Sequence, residues 1–369
     1  MGVKNNCYWI YTYGCQMNEA DSLWLEKIFK HCDYRKATSL ENADVVLINT
    51  CSVRQAAEDK VYGLAPKIQE FKIKNSNLKI ILTGCMVGSA TGKRRRMKLA
   101  SLKERIPWVD YFISPDTIFK NLPQILNNTE KSIHPALQKP QGVVVEETEK
   151  GKGAYVPIMR GCNNFCSYCV VPYARGEEKY RKFEDVVQDV KNLVKKGVKS
   201  VTLLGQNVNS YPNFAKLLKK LHTIKVLEEI WFITSNPWDF PEELIDVLAL
   251  PKIRKYLHLA VQSGDDEILR KMNRPYTANE YKELVKRIRK KVPEMKFGTD
   301  LLVGFPDETK KQFENTVKLV KDVGFENAFI AMYSPRPGTA AAENYEDNVP
   351  RQEKKRRHHK LSKIIETGQ

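Results

Sequence analysis

The chain has 369 residues, 42% of them hydrophobic, and carries 61 Lys and Arg against 44 Asp and Glu, a formal charge of +17. That length suits two domains with full cores, and eight cysteines are too few for a disulfide scaffold, so grouped thiols in a reducing compartment are expected. The surplus of cations favours a polyanionic partner, most simply nucleic acid, against the plainer explanation of a generically basic surface. A signal-peptide core and a bilayer-length apolar run are both missing, which argues against a membrane span and for the cytoplasm.

Three short apolar runs open the chain: Cys7 to Tyr13, Asp44 to Thr50 and Leu78 to Thr83. They are rich in β-branched and aromatic residues, as in strands buried on both faces. A helix capped by Asn18 and carrying Leu23, Leu25, Ile28 and Phe29 is expected between the first two, and another from Gln55 to Ile73 between the second and third. Alternating strands and helices predict a parallel, doubly wound sheet, whose strand ends all lie on one ligand-binding edge. Cys15, Cys51 and Cys85 each follow one of these runs. The expected topology therefore gathers them into one three-thiol site, against the alternative of three separate core thiols. Cys7 and Cys32 fit no such pattern and read as ordinary thiols.

After Cys85 comes Lys93-Arg94-Arg95-Arg96-Met97-Lys98, five cations in six residues, suited either to clamping phosphates or to a solvated loop. A fourth strand is expected over Trp108 to Ile113 and a helix over Asp116 to Asn127. The boundaries that follow are an N-terminal domain over residues 5–128, a polar linker over 129–152 with one short strand, a second domain over 153–345 and a basic tail over 346–369.

The second domain begins with the apolar run Tyr155 to Met159 and the loop Arg160-Gly-Cys-Asn-Asn-Phe-Cys-Ser-Tyr-Cys169. Cys162, Cys166 and Cys169 stand in C-x3-C-x2-C spacing, which is not the usual zinc half-site. A closed zinc site takes four ligands. Three thiolates suit a 4Fe–4S cluster with one iron left open, while a zinc knuckle with a distant fourth ligand is the alternative. Five further strand patterns alternate with helices: Ser200 to Leu204, Ile230 to Thr234, Tyr256 to Val261, Phe297 to Val303 and Asn327 to Met332. Six β/α units predict an open partial (β/α)6 barrel, short of the eight that close one. Polar residues at its strand ends, among them Gln206, Asn207, Ser235, Gln262 and Asp300, are candidate cofactor contacts together with Tyr168. His258, inside an apolar strand, reads as a satisfied core histidine.

The cysteine loop resembles that of the radical S-adenosylmethionine (SAM) enzymes, whose open iron chelates the amino and carboxylate groups of SAM. The resemblance extends along nearly the whole chain. Tyr13 to Asn18, Asn49 to Arg54, Cys162 to Gly176, Val261 to Gly264, Val303 to Pro306 and Tyr333 to Thr339 look like the methylthiotransferases. Within that family the wording is nearest to the tRNA 2-methylthio-N6-isopentenyladenosine synthases (MiaB-type). The resemblance implies a radical SAM barrel with a 4Fe–4S cluster on Cys162, Cys166 and Cys169. It also implies a second 4Fe–4S cluster on Cys15, Cys51 and Cys85.

By the same resemblance, one SAM yields a 5′-deoxyadenosyl radical that takes hydrogen from carbon 2 of the adenine beside the tRNA anticodon. That carbon is beyond ordinary acid–base chemistry. A second SAM methylates the sulfur to be inserted. The anticodon loop of tRNA is the implied partner, with an electron donor and a sulfur source to be supplied, and a monomer is expected. The family normally ends in a small β-barrel, the TRAM domain, and none is expected here. Arg94, Arg95, Arg96, Arg336 and the basic tail are then candidate RNA contacts. Other readings are a relative acting on threonylcarbamoyl-adenosine or on a ribosomal protein, a different radical SAM reaction, and a non-catalytic metal-bearing RNA-binding protein.

Overall fold

The computed structural model describes residues 6–127, 144–148 and 151–367. Most of the expected linker, residues 129–152, therefore lies outside the described residues. The chain divides into two compact units. The first is Met1–Val144 with Arg160–Asn163 and Val170–Glu178, and the second is Val145–Met159 with Asn164–Cys169 and Lys179–Gln369.

In the first unit the order is β1 (Cys7–Tyr13), α1 (Gln16–His31), β2 (Arg35–Lys36), β3 (Val45–Thr50), α2 (Gln55–Tyr62), α3 (Ala65–Lys74), β4 (Lys79–Gly84), α4 (Cys85–Thr91), α5 (Leu99–Arg105), β5 (Tyr111–Phe112) and α6 (Ile118–Asn127). The five strands form one parallel sheet in the order β2-β1-β3-β4-β5. The two-residue period of a strand sends alternate side chains to opposite faces, and both faces are buried. Val46, Ile48, Ile80 and Leu82 pack with Val61, Ile68, Phe71, Met86 and Leu102 on one side. Tyr8, Val45, Leu47 and Ile81 pack with Trp24, Leu25, Ile28, Phe29, Ile118 and Leu122 on the other. Cys32 lies in this second core as an ordinary buried thiol.

Three local expectations are corrected. Helix α1 starts earlier, with Cys15 at its N-cap, and Asn18 is a buried residue whose amide donates to Asn49 Oδ1 at 3.0 Å. The long helix expected from Gln55 to Ile73 is two helices, parted at Gly63 and Leu64. The strand over Trp108 to Ile113 shrinks to Tyr111–Phe112 because this edge pairs on one side only.

The second unit continues with β6 (Val144–Thr148), β7 (Gly151–Pro157) and the short strands β8 (Met159–Arg160) and β9 (Lys179–Tyr180), between which α7 (Val171–Arg175) belongs to the first unit. Then come α8 (Phe183–Lys195), β10 (Ser200–Leu204), α9 (Phe214–His222), β11 (Glu229–Phe232), α10 (Glu242–Leu248), β12 (Tyr256–His258), α11 (Asp266–Lys271), α12 (Ala278–Lys291), β13 (Lys296–Val303), α13 (Lys310–Val323), β14 (Asn327–Met332), α14 (Ala340–Asn344) and α15 (Arg351–Thr367). Strands β7, β10 and β11 are parallel neighbours, as are β12, β13 and β14. A parallel bridge between Ser235 and Leu259 links the two sets. Six parallel strands with intervening helices form the expected (β/α)6 arrangement. Capping boxes at Thr277 and Thr309 fix the starts of α12 and α13.

The expected basic tail is instead a helix packed on the second unit. In α15, Leu361 is fully buried, and Lys354 donates to the Tyr333 carbonyl at 3.0 Å. Arg357 bonds Glu308 at 2.6 Å, and the same Glu308 oxygen accepts from the Gly304 N–H at 2.6 Å. Alternating cations and apolar residues in this segment thus stabilise a helix and the loop after β13, because each buried charge has an opposite partner.

Candidate functional site

Strand register explains how the first unit gathers its thiols. Tyr13 pairs with Thr50 and Thr50 with Gly84, so the next residues, Cys51 and Cys85, leave the sheet side by side and Cys15 follows one residue later. Gly84 makes the turn at φ +90°, and a Cβ there would lie 2.4 Å from the Thr50 carbonyl, so no other residue type fits. Cys51 is held by its N–H donating to Tyr13 O at 2.6 Å, and its sulfur accepts from the Val53 N–H at 3.3 Å.

A cation completes this arrangement. Arg175 Nε donates to Cys85 Sγ at 3.1 Å, while Arg175 Nη1 donates to Asp21 Oδ2 at 2.6 Å. Its side chain is buried, at 2% exposed. Helix α7 comes this close to α4 because position 88 is glycine: a Cβ there would meet the Ala174 carbonyl at 2.1 Å. A hydrogen bond from Cys51, followed by the Arg175 charge, pulls the Cys85 pKa down, and that bond together with burial pushes Cys51 up. Cys15 lies within electrostatic reach of both Cys85 and Arg175. Cys51 and Cys85 are in hydrogen-bond contact and Cys15 stands within electrostatic reach, while among the described residues no three such side chains are drawn close enough to hold a single metal ion.

In the second unit, Cys166 and Cys169 are joined by a turn, Cys169 N–H to Cys166 O at 2.9 Å. Ser167 pins this turn: it bonds Met272 O and Lys271 O, and its own carbonyl accepts from the Ala341 N–H. Tyr168 packs on the core of Ile268, Met272, Phe305 and Tyr333. Arg274 is buried with its Nη1 3.5 Å from Cys166 Sγ. It also donates to Ala260 O at 2.6 Å and lies 4.6 Å from the Trp238 ring centroid. Cys162, seven residues before Cys169, is buried in the first unit with its N–H on Gly176 O.

Thr234, Gln262 and Phe165 hold positive φ without being glycine, a strained conformation that collects at functional loops. Ser235, expected as a cofactor contact, is buried and its hydroxyl has no hydrogen-bond partner, which fits a hydroxyl awaiting a ligand. Gln262 and Asp300 stand half-buried on neighbouring strands, with Gln262 N–H donating to Asp300 O at 2.8 Å, and Gln206 is also half-buried. Asn207 is buried, its Nδ2 donating to Ser210 and its Oδ1 accepting from Asn236, so it also fixes the loop after β10.

His258 is 12% exposed and partnered, close to the satisfied histidine expected. It lies beside Asp300, Nε2 to Oδ2 at 3.2 Å, on the open face of the β12-β13-β14 sheet. The opposite face, with Leu257, Phe297, Leu301 and Val303, is buried. Phe329 stands beside this pair, 5.9 Å from the His258 ring and 60% exposed. Parallel sheets are usually covered on both faces, so this open face is a place for a ligand. An aromatic in an apolar strand gave no sequence signal of exposure.

Among the candidate RNA contacts, Arg95 is exposed. Arg94 bonds Asn163 and Glu177. Arg96 is corrected: its side chain is 1% exposed, bonded to Ser52 Oγ at 2.8 Å and paired with Glu58. Arg336 is corrected likewise, since it is buried and forms no part of an exposed basic surface. Sequence reasoning missed Arg160, Arg175 and Arg274 beside the thiols; Arg160 and Arg175 stand two and six residues from a cysteine in the chain, whereas Arg274 has no cysteine near it in sequence. Among the described residues no helix is long and apolar enough to cross a membrane.

A model of the Radical SAM superfamily matches residues 156–320, and one of the Uncharacterized protein family UPF0004 matches residues 7–113. A Clostridium botulinum protein named tRNA-2-methylthio-N(6)-dimethylallyladenosine synthase is 42% identical over 97% of this chain and 81% of its own length. Proteins of the same name from Dictyoglomus thermophilum and Dehalococcoides mccartyi are 42% and 44% identical, each over 95% of this chain and 80% of their own. Among solved structures, the radical S-adenosylmethionine methyltransferase TsrM from Kitasatospora setae, with cobalamin and a 4Fe–4S cluster bound, matches with a TM-score of 0.65 at 14% identity. It covers 92% of this chain and 77% of that one, and this likeness concerns the fold alone. With radical SAM sequence features in the second unit, three gathered thiols in the first, and this identity along almost the whole length, the chain belongs to the tRNA-2-methylthio-N6-dimethylallyladenosine synthase family of radical SAM enzymes.

Proposed function

We propose that this protein transfers a methylthio group to carbon 2 of N6-dimethylallyladenosine (the isopentenyl nucleoside under another name) next to the anticodon of tRNA. The observation that carries the reading is the second thiol set. A radical SAM enzyme needs one three-cysteine loop, whereas Cys15, Cys51 and Cys85 form another, built from three strand ends and backed by Arg175. Family membership brings a 4Fe–4S cluster and SAM; the reading adds a second cluster.

The donor sets fit these groups. Thiolates are the ordinary ligands of 4Fe–4S clusters, and a buried arginine stands beside one thiol of each set, Arg175 beside Cys85 and Arg274 beside Cys166. Cys162, Cys166 and Cys169 hold the SAM-binding cluster, and Cys15, Cys51 and Cys85 the second. Bound there, the first supplies the electron that cleaves the SAM sulfonium and the second the open iron that carries sulfur. Tyr168, Gln206, Ser235, Gln262 and Asp300 are the SAM-facing candidates, Ser235 through its unpartnered hydroxyl. Ser167 and Arg274 keep Cys166 in place, and Arg175 holds Cys85 by its Nε–H. Arg95 contributes to phosphate attraction from the surface.

One anaerobic reaction tests this. Reconstituted protein, SAM, a reductant and tRNA bearing dimethylallyladenosine are combined, and nucleosides and 5′-deoxyadenosine are read by mass spectrometry. The methylthio nucleoside is the expected product. Deoxyadenosine released without it would point to a different radical SAM reaction.

A further inference from the structure

Arg160 stands two residues before Cys162, yet its side chain is buried in the first unit, 8% exposed. Its Nε, Nη1 and Nη2 all lack a hydrogen-bond partner. The nearest carboxylate, Asp21 Oδ2, is 3.9 Å away and already accepts from Arg175 at 2.6 Å. Two buried guanidinium groups therefore share Asp21, and the other carboxylate that acts on Arg160, Asp116, is exposed and forms no ion pair with it among the described residues. An uncompensated buried charge costs several kcal/mol, so the surplus cation must answer to negative charge nearby.

The cavity that Arg160 lines with Asp21, Asn49, Thr83 and Gly84 is about 10 Å³, no larger than one water needs. It cannot admit a counter-anion of its own. Asn49 and Thr83 each lie two residues before a site cysteine, and Gly84 immediately before Cys85, so the cavity backs directly onto the three-thiol site. Arg160 is also within electrostatic reach of Cys85. Arg175 touches the thiol while Arg160 stands behind it with its donors unmet.

We propose that Arg160 is a positioning residue of charge for the N-terminal thiol site, where its buried cation stabilises added negative charge in the form of an anionic sulfur ligand of the hydrosulfide class. This rests on the reading that Cys15, Cys51 and Cys85 hold an iron–sulfur cluster with an open iron. Arg175 with Asp21 then balances the resting site, and Arg160 balances what is added to it. The physics is that of a fixed positive charge in a low dielectric, which favours the more anionic form of any group within reach.

The test uses full-length protein carrying Cys162→Ala, Cys166→Ala and Cys169→Ala, so that only the N-terminal site holds iron. Sodium sulfide is titrated under electron paramagnetic resonance, and the midpoint potential is read by electrochemical titration. These are compared with the same protein bearing Arg160→Gln or Arg160→Lys. Arg160→Gln is expected to weaken sulfide binding roughly tenfold or more and to move the midpoint to more negative potential. Arg160→Lys, which keeps the charge, stays close to the parent. Iron uptake by Arg160→Lys but not by Arg160→Gln overturns the proposal, since the charge would then serve the resting site and not the added ligand. Full iron in Arg160→Gln with unmoved sulfide affinity and potential overturns it and leaves the two-cluster reading standing. Loss of iron in both variants overturns it too, since shape and not charge would be at stake. A parent without iron overturns the two-cluster reading itself, and the proposal with it.

Discussion

Cys85 and Cys166 each have a buried arginine against the sulfur, but the two arginines are held in different ways. Arg175 shares its charge with a carboxylate, Asp21, and has a second cation, Arg160, beside it. Arg274 is held by the Ala260 carbonyl, the Tyr276 hydroxyl and the face of Trp238. Carbonyls and ring faces orient a guanidinium without cancelling its charge, whereas a carboxylate cancels it. The second unit thus presents one undiluted cation to its thiol. The first holds an adjustable set in which added negative charge changes the balance. The lesson is that the same residue beside the same ligand type can serve a fixed site or a variable one, depending on what lies behind it.

The strongest way to break the comparison is to remove one thiol from each side. Cys162→Ala is expected to abolish 5′-deoxyadenosine formation. Cys51→Ala should spare it and lose sulfur insertion. Normal methylthiolation by Cys51→Ala would take the Cys15, Cys51 and Cys85 set out of the chemistry and leave the comparison empty.

Exchanging the cations sharpens it. Arg175→Leu should reduce iron held by the first unit by about 10–100-fold in affinity while SAM cleavage persists, and Arg274→Leu should do the reverse. Iron and sulfide analysis of each variant, made with the other cysteine set replaced by Ala, reports this directly. Equal losses from both sites in either variant would mean that the arginines serve the fold and not their own thiols.

A smaller effect separates structural from surface cations within the first unit. Arg96→Ala leaves Glu58 buried without its partner, and a stability loss of about 3–5 kcal/mol is expected in denaturant unfolding. Arg95→Ala should change stability by under about 0.5 kcal/mol and lower the salt slope of tRNA binding by about one. A salt slope altered by Arg96→Ala but not by Arg95→Ala would reverse these roles.

Much of this was legible before any coordinates. The strands carrying Cys15, Cys51 and Cys85 announce themselves because a strand buried on both faces must be apolar along its length. The helices expected between the later strands form, α8, α9, α12 and α13 among them, because an amphipathic stripe depends on local spacing alone. The C-x3-C-x2-C loop is legible for the same reason. Where expectation failed, the deciding contact was distant in sequence. Asn18 reads as a helix cap but bonds Asn49. The cationic segment after Asn348 reads as a tail because its partners Glu308 and Tyr333 lie on other elements.

Composition and spacing along the chain thus set which alternation of strands and helices carries the cysteines, since that depends on short-range periodicity. The burial of Arg96, Arg160, Arg175, Arg274 and Arg336 was decided by tertiary packing alone. A long cationic side chain looks the same in sequence whether it ends in water or against a sulfur, and only the carboxylates, carbonyls and rings brought around it from elsewhere determine which.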